Sequence, residues 1–208
     1  RLPAAGTADA DQVLRQARVH ALVSRYREIG HLLACLDPLE ACPTEHPLLS
    51  LDAFGLSLSD LERTFLVPDG AVNLKAPLRD ILAGFRQTYC HSIGVEFMHL
   101  QDPTERRWLI DRMEPVRNQP VLEPAAQRRI LEKLIQSSVF EQFLNTKYVG
   151  VTRFSLEGGD ALIPALDVLV EQAAHSGCRE IILGMAHRGR LNVHANVIGK
   201  PFTDIFSE

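Results

Sequence analysis

No apolar run in this chain approaches the ~20 residues that a membrane-spanning helix requires. The opening stretch Arg1-Leu2-Pro3-Ala4-Ala5-Gly6-Thr7 is followed by no apolar core of the kind a secretory signal carries. Charge of one sign is equally lacking: 22 Lys and Arg stand against 26 Asp and Glu, a net −4. That balance gives no general attraction to polyphosphate, so neither a nucleic acid nor a membrane is expected as partner. Cysteine is scarce. Cys35, Cys42, Cys90 and Cys178 form no CxxC and no regular spacing, which predicts free buried thiols, not a disulfide framework, and a reducing, cytosol-like compartment. Cys42 with His46 is the only metal-like pair, and a tetrahedral zinc site needs three or four ligands. What remains is the composition of a folded chain: 208 residues, 46% hydrophobic and 23% charged, enough for one large or two small domains. The chain begins at Arg1 without methionine and stops at Ser207-Glu208, so a piece of something longer is expected.

The first two thirds read as helix. Thr7-Ala8-Asp9-Ala10-Asp11 offers capping residues before Val13, Leu14, Ala17, Ala21, Leu22, Ser24, Tyr26, Ile29, Leu32 and Leu33, spaced by threes and fours. Arg15, Arg18, Arg25, Arg27 and Glu28 fall between them, and the period predicts a helix of roughly 25 residues. Gly30 interrupts it at ~1 kcal/mol relative to Ala, unless packing demands a bare backbone there. Leu36-Asp37-Pro38-Leu39 ends it, since proline pushes the preceding residue to extended geometry. Residues 40–58 read as a linker, with a short helix from Ser59-Asp60. Pro77 opens a helix through Ile81, Leu82, Phe85 and Tyr89, and His91 to Leu100 alternates as a short extended segment. Asp102-Pro103-Thr104-Glu105 is a helix start, with Trp108, Leu109, Ile110 and Met113 as the apolar face that follows. After a proline-bearing loop, Ile130, Leu131, Leu134, Ile135, Val139, Phe140, Phe143 and Leu144 mark one more helix.

At Tyr148 the pattern changes. Tyr148 to Ser155 is β-rich, Gly158-Gly159 breaks it, and Asp160 caps a helix through Leu162, Leu166, Val168, Leu169 and Ala173 that Ser176-Gly177 stops. Glu180-Ile181-Ile182-Leu183-Gly184 then reads as a buried strand. Strand, helix, strand predicts a βαβ unit with a right-handed crossover. The expected fold is therefore α/β overall: a mostly helical region, 1–147, followed at 148–208 by the opening unit of a parallel-sheet domain. Behind the second strand, Met185-Ala186-His187-Arg188-Gly189-Arg190-Leu191-Asn192-Val193-His194-Ala195-Asn196 concentrates cations and amides in a strand-end turn that opens a helix, the place where open α/β sheets hold anions.

Arg153-Phe154-Ser155-Leu156-Glu157-Gly158-Gly159-Asp160-Ala161-Leu162-Ile163-Pro164 and Gly184 to Val193 together resemble the decarboxylating first component of the 2-oxoglutarate dehydrogenase complex. Ile93 to His99, Glu105-Arg106-Arg107-Trp108, Gly30-His31-Leu32 and Leu36-Asp37-Pro38-Leu39 resemble the same family in the same order, so the likeness covers nearly the whole chain. The resemblance implies a thiamine-diphosphate enzyme that decarboxylates 2-oxoglutarate and passes the succinyl group to a lipoyl-bearing succinyltransferase. It also implies a homodimer, working in a bacterial cytoplasm or a mitochondrial matrix. By resemblance, His187 lies on the substrate side, where a hydrogen-bond donor suits a carboxylate, and Arg188 reaches the cofactor. Gly189 permits close backbone approach.

The same resemblance marks departures. Gly158-Gly159-Asp160 is not the Gly-Asp-Gly that begins the family's metal motif, and no such motif followed ~25 to 30 residues later by asparagine occurs. The magnesium ligands and the glutamate that activates the aminopyrimidine ring are therefore expected outside this sequence. The extreme N-terminal segment of the family is missing or reduced to Arg1 to Ala10. Glu40-Ala41-Cys42-Pro43-Thr44-Glu45-His46 stands where some members carry an acidic run, so no calcium regulation through it is expected. Other roles stay open. Arg190 can pair with Glu157 or Asp160, and Asn192 with Asn196, one turn apart, can cap or cross-link loops. His91 and His99 are structural or line a channel. Arg106, Arg107 and the Arg15, Arg18, Arg25 series read as solvated helix faces. The substrate can be 2-oxoadipate instead, or the chain can be an assembly and interaction module with no catalytic part.

Overall fold

The computed structural model describes residues 7–37, 39–67 and 74–207. Pro38 and the segment Arg1 to Gly6, on which two of the readings above rest, lie outside them. Contacts divide the chain into two units, residues 1–120 and 121–208, a boundary ahead of the change of composition at Tyr148.

The first unit is built on α1 (Thr7–Ile29), continued by a 3-10 turn over Gly30–Leu33. Its core stripe is Val19, Leu22, Val23 and Tyr26, the three-four spacing of one helical face. Val13 and Leu14, expected on that face, are exposed, and the stripe that packs is turned from the one expected. Arg27, which falls between the apolar positions of the period, is 4% exposed. Its Nε and Nη2 hold the Glu114 carboxylate at 2.7 and 3.1 Å, and the Tyr89 hydroxyl donates to the same carboxylate at 2.8 Å. Gly30 explains its own cost. A Cβ there would stand 2.7 Å from Cβ of Tyr89, so the helix end crosses α2 (Leu78–Tyr89) without a side chain.

A hairpin with no counterpart in the sequence reading, β1 (Thr64–Val67) against β2 (Leu74–Pro77), supplies the sheet present among the described residues. It is antiparallel, with Phe65 opposite Ala76 and Val67 opposite Leu74. Phe65 and Val67 point into the core while Leu66 points out, the period of two that a half-buried strand shows. The side-chain amide of Gln16 on α1 caps the free edge: its Nε2 donates to Leu66 O at 2.6 Å and its Oε1 accepts from Leu66 N at 3.0 Å. The short helix expected from Ser59-Asp60 is a 3-10 turn, Leu58–Asp60, closed by a capping box between Ser57 and Asp60. His91 to Leu100 forms no strand. Phe97 is buried within it, stacked 6.2 Å from Tyr89, so one anchor residue holds the segment without a ladder. α3 (Pro103–Met113) starts as read, with the Asp102 carboxylate accepting from Thr104 N at 2.7 Å. Trp108 nonetheless lies on its exposed side, with the Arg112 guanidinium over the ring.

The cysteines correct the expectation of free thiols. Cys35 and Cys42 are joined in a disulfide, Cys90 is half-buried, and Cys178 is exposed. Spacing alone does not show the pairing, because a separation of seven residues does not tell that the two Cα atoms stand 4.8 Å apart.

The second unit consists of α4 (Pro124–Lys147), α5 (Leu162–His175), α6 (Arg190–Asn196) and α7 (Phe202–Phe206). Phe140 and Leu144 are the buried apolar residues of α4, while Leu131, Ile135, Val139 and Phe143 stay exposed. Leu156, Ile163 and Val193 form a small core at the feet of α5 and α6. Arg129 of α4 donates to Asp167 of α5 at 2.6 Å, and Lys133 reaches Asp167 at 3.2 Å and Asn196 O at 2.9 Å. These contacts place α4 with α5 and α6.

The two parallel strands are not formed. Residues 148–155 and 180–184 carry no ladder, and Ile182, expected to be buried, is 88% exposed. A parallel strand needs neighbours on its hydrogen-bonding edges and cover on both faces. Among the described residues neither is present. Mostly helical in both units, the structure holds the helical part of the expectation.

Candidate functional site

Two loops of the second unit meet beside α6. One runs through Phe154, Ser155 and Leu156, the other through His187, Arg188 and Gly189. Phe154 is a non-glycine residue at φ +46°, in the left-handed region. That turn aims its carbonyl at the second loop, where it accepts from Gly189 N at 2.8 Å. Arg188 Nη1 donates to Ser155 O at 3.0 Å. The His187 ring lies against the Phe154 ring with centroids 3.8 Å apart. Gly189, at φ +75°, comes so close that a Cβ would sit 2.6 Å from Leu156 Cδ1. The close approach expected of this glycine is therefore made, and the partner is Leu156 of the same chain.

Beneath the loops a buried polar cluster fixes their position. Asn192 on α6 is fully buried and shares its amide protons among Ser137 O, Ser137 Oγ and Glu141 Oε1 at 3.0 to 3.1 Å. Its Oδ1 accepts from Asn196 at 2.7 Å, the one-turn pair read from the sequence. Glu141, 2% exposed, also accepts from Ser155 Oγ at 2.9 Å, so α4 braces both loops through one carboxylate. A buried carboxyl group is tolerable only when its oxygens are bonded, and here both are.

Among the described residues Arg190 makes no ion pair with Glu157 or Asp160. Asp160 accepts from Gly158 N at 3.3 Å and Ser137 Oγ at 3.4 Å, and α5 begins at Leu162 with no side-chain cap. Its oxygens are drawn into the loop and the Ser137 cluster instead of capping. Arg15 is tied to Asp11 at 2.9 Å and to buried Asp60 at 2.6 Å, and Arg18 donates to Gly55 O at 2.8 Å, so this face is bonded as well as solvated. His91 and His99 are exposed residues of the first unit. His31, not either of them, approaches Glu96, at 3.8 Å.

His187 and Arg188 are thus exposed neighbours on a braced loop. Arg188 spends one N–H on Ser155, and the rest of its planar fork has no partner among the described residues. Such a pair can hold an anion: a guanidinium matches two oxygens at once, and an imidazole donates one further bond. No group of three or more His, Cys, Asp or Glu among the described residues could hold a metal ion. Phe154 and Glu141 are the site residues that sequence reasoning missed. Phe154 lies within the Arg153 to Pro164 segment with nothing in its type to mark a role, and Glu141 looks like any helix-surface acid until Asn192 of α6 is seen to bond it.

No family model matches the chain. Known proteins do, and they define a class of enzymes named for 2-oxoglutarate. The chain is 46% identical over 197 residues to the multifunctional 2-oxoglutarate metabolism enzyme of Mycolicibacterium vanbaalenii, an alignment covering 93% of this chain and 16% of that protein. It is 45% identical over 197 residues to the protein of the same name from Mycobacterium sp. (strain JLS). Within that class, it is 41% identical over 205 residues to the 2-oxoglutarate dehydrogenase E1 component of Cupriavidus necator, covering 97% of this chain and 22% of that protein. The chain is a homologue of part of that E1 component, spanning about a sixth to a fifth of the length of the curated relatives it matches. No helix among the described residues is long and apolar enough to cross a membrane.

Proposed function

We propose that this chain contributes one wall of the active site in a thiamine-diphosphate-dependent enzyme that decarboxylates 2-oxoglutarate and delivers the succinyl group to a lipoyl-bearing partner. The observation that carries the reading is the braced pair His187 and Arg188, two cationic or hydrogen-bonding groups held side by side. Their donor set fits anionic guests. When bound, thiamine diphosphate supplies the electron sink that lets the 2-oxo acid lose carbon dioxide. His187 donates to a substrate carboxylate, and Phe154 limits the rotation of its ring. Arg188 holds anionic oxygens of the cofactor, with Ser155 O fixing one arm of its fork. Preorganised donors of this kind are the usual route by which a site stabilises developing charge. Magnesium is to be held by ligands outside this sequence. Residues 148–208 form the opening of the cofactor domain, and the working protein is a homodimer in a bacterial cytoplasm or a mitochondrial matrix.

The names of the relatives support this reading, as does their 41–46% identity across nearly the whole chain. The test is a chain of the relatives' full length, assayed for thiamine-diphosphate-dependent decarboxylation of 2-oxoglutarate and of 2-oxoadipate. His187→Ala should lower kcat/KM by about 10² or more, the scale of one lost transition-state donor. Wild-type turnover by that variant would remove His187 from the mechanism, and preference for 2-oxoadipate would change the substrate.

A further inference from the structure

We propose that Cys35 and Cys42 form a reversible disulfide that clamps the loop they enclose, a redox-modification site independent of the His187 loop. The two sit with Cα atoms 4.8 Å apart, within the span that a disulfide bridges. Their environments differ. Cys35 follows the 3-10 turn of Gly30–Leu33, is half-buried, and donates its N–H to His91 O at 2.7 Å. Cys42 is exposed and lies seven residues on. One half of the bridge is thus built into the first unit and the other is open to a small thiol.

Among its described residues the loop between them has few other ties. Leu39 is 92% exposed, and its N–H bonds back to Asp37 Oδ1 at 2.8 Å, a local turn that folds the segment toward closure. Leu36 is 62% exposed, and its Cδ1 lies beside Gly94, where a Cβ would stand 3.3 Å away. Beyond Cys42, Thr44 O accepts from Arg86 at 3.1 Å. Closing a short loop removes freedom that the exposed Leu36 and Leu39 do not offset by burial.

Exchange with glutathione proceeds in two displacements. A glutathione thiolate attacks Sγ of Cys42, the protein S–S bond breaks, and Cys35 leaves as a thiolate that takes a proton. A second glutathione thiolate attacks the glutathione sulfur of the mixed disulfide, releasing the Cys42 thiol and glutathione disulfide. Two glutathione thiols have been oxidised and the protein pair reduced by two electrons; glutathione disulfide drives the reverse. Cys90 lines a cavity of about 310 Å³ with Leu33, Pro43, Thr44 and His91. Burial pushes its thiol up to about 11, so it stays protonated near neutral pH and does not compete for the bridge. Cys178, exposed in the other unit, serves as an internal control for labelling.

The protein equilibrated with excess glutathione disulfide, then alkylated and digested, should yield the peptide spanning Cys35 and Cys42 unalkylated and two hydrogens lighter than its dithiol form. Cys178 should carry label or glutathione. After reduction with dithiothreitol, both Cys35 and Cys42 should alkylate. Cleavage after Glu40 by a glutamyl endopeptidase should be about tenfold or more slower in the oxidised protein than in the reduced one. That difference should vanish in Cys42→Ser, whose exposed position leaves the fold intact. Alkylation of both Cys35 and Cys42 in the oxidised protein, bridges through Cys90 or Cys178, or cleavage indifferent to redox state would each overturn the proposal.

Discussion

Single residues of the first unit carry constraints that chemistry alone makes testable. Gly30 is one. Replacing glycine by alanine inside a helical turn ordinarily stabilises by up to ~1 kcal/mol. Here the new methyl meets the Tyr89 Cβ at 2.7 Å, a backbone-proximal atom that cannot rotate away. Gly30→Ala should therefore destabilise by about 1–3 kcal/mol through overpacking, read as a lowered urea midpoint. Asp60 is another. It is 1% exposed, and burial alone would raise its carboxyl. The Ser57 N–H and hydroxyl, together with the Arg15 guanidinium at 2.6 Å, outweigh that, and the net direction is below the ordinary carboxylate range. A lowered folded-state pKa contributes stability that is complete above the unfolded value of about 4 and is lost as pH falls through the folded one. The unfolding midpoint of the wild type should thus decline below about pH 4 more steeply than that of Asp60→Asn. Parallel profiles would show that Asp60 is not a source of the acid limb.

Among elements, α6 depends on polar contact more than on area. It spans Arg190–Asn196 and contributes Val193 to a small core, while Asn192 locks it to Ser137 and Glu141 of α4. Asn192→Ala should cost about 1–3 kcal/mol, because it strips a donor from a buried carboxylate. Hydrogen exchange of the α6 amides should quicken more than that of α1, where no such contact is lost. The same elements show what a sequence can reveal. α1, α2, α3 and α4 were legible because cap residues, prolines and a 3.6 period act locally: Asp102-Pro103 names α3 outright, and the spacing of Ile130 to Leu144 marks α4, which begins at Pro124, the last residue of the expected loop. The hairpin Thr64–Pro77 was not, since Leu66 is paired by Gln16, a side chain fifty residues earlier. The burial of Arg27 and Glu141 was not legible for a like reason: whether a charged side chain is solvated or buried depends on what packs over it. The candidate site was half legible. His187, Arg188 and Gly189 stood out by type and order, but Phe154 and Glu141 gain their roles only from the contact between two distant loops.

For the whole molecule, the unformed strands are the sharpest question. Tyr148 to Ser155 and Ile181 to Leu183 have β-rich composition, yet Val149 is 82% and Ile182 88% exposed. Apolar residues so exposed, on backbone without a ladder, are what parallel strands without partners would show, since such strands are stable only within a covered sheet. The relatives have chains several times longer, which leaves ample sequence to supply those partners. In the 208-residue chain, amides of 152–155 and 180–184 should therefore exchange at nearly the rate of an unstructured peptide, while those of the α1 core turn around Leu22 and Tyr26 exchange slowly. In a chain of the relatives' full length, the same two segments should gain protection of about 10³-fold or more, the level of a strand inside a folded sheet. Protection there would give the His187 loop its strand-end setting. Equally fast exchange in both chains would remove the parallel sheet from the fold and leave the loop held by the Ser137, Glu141 and Asn192 cluster alone.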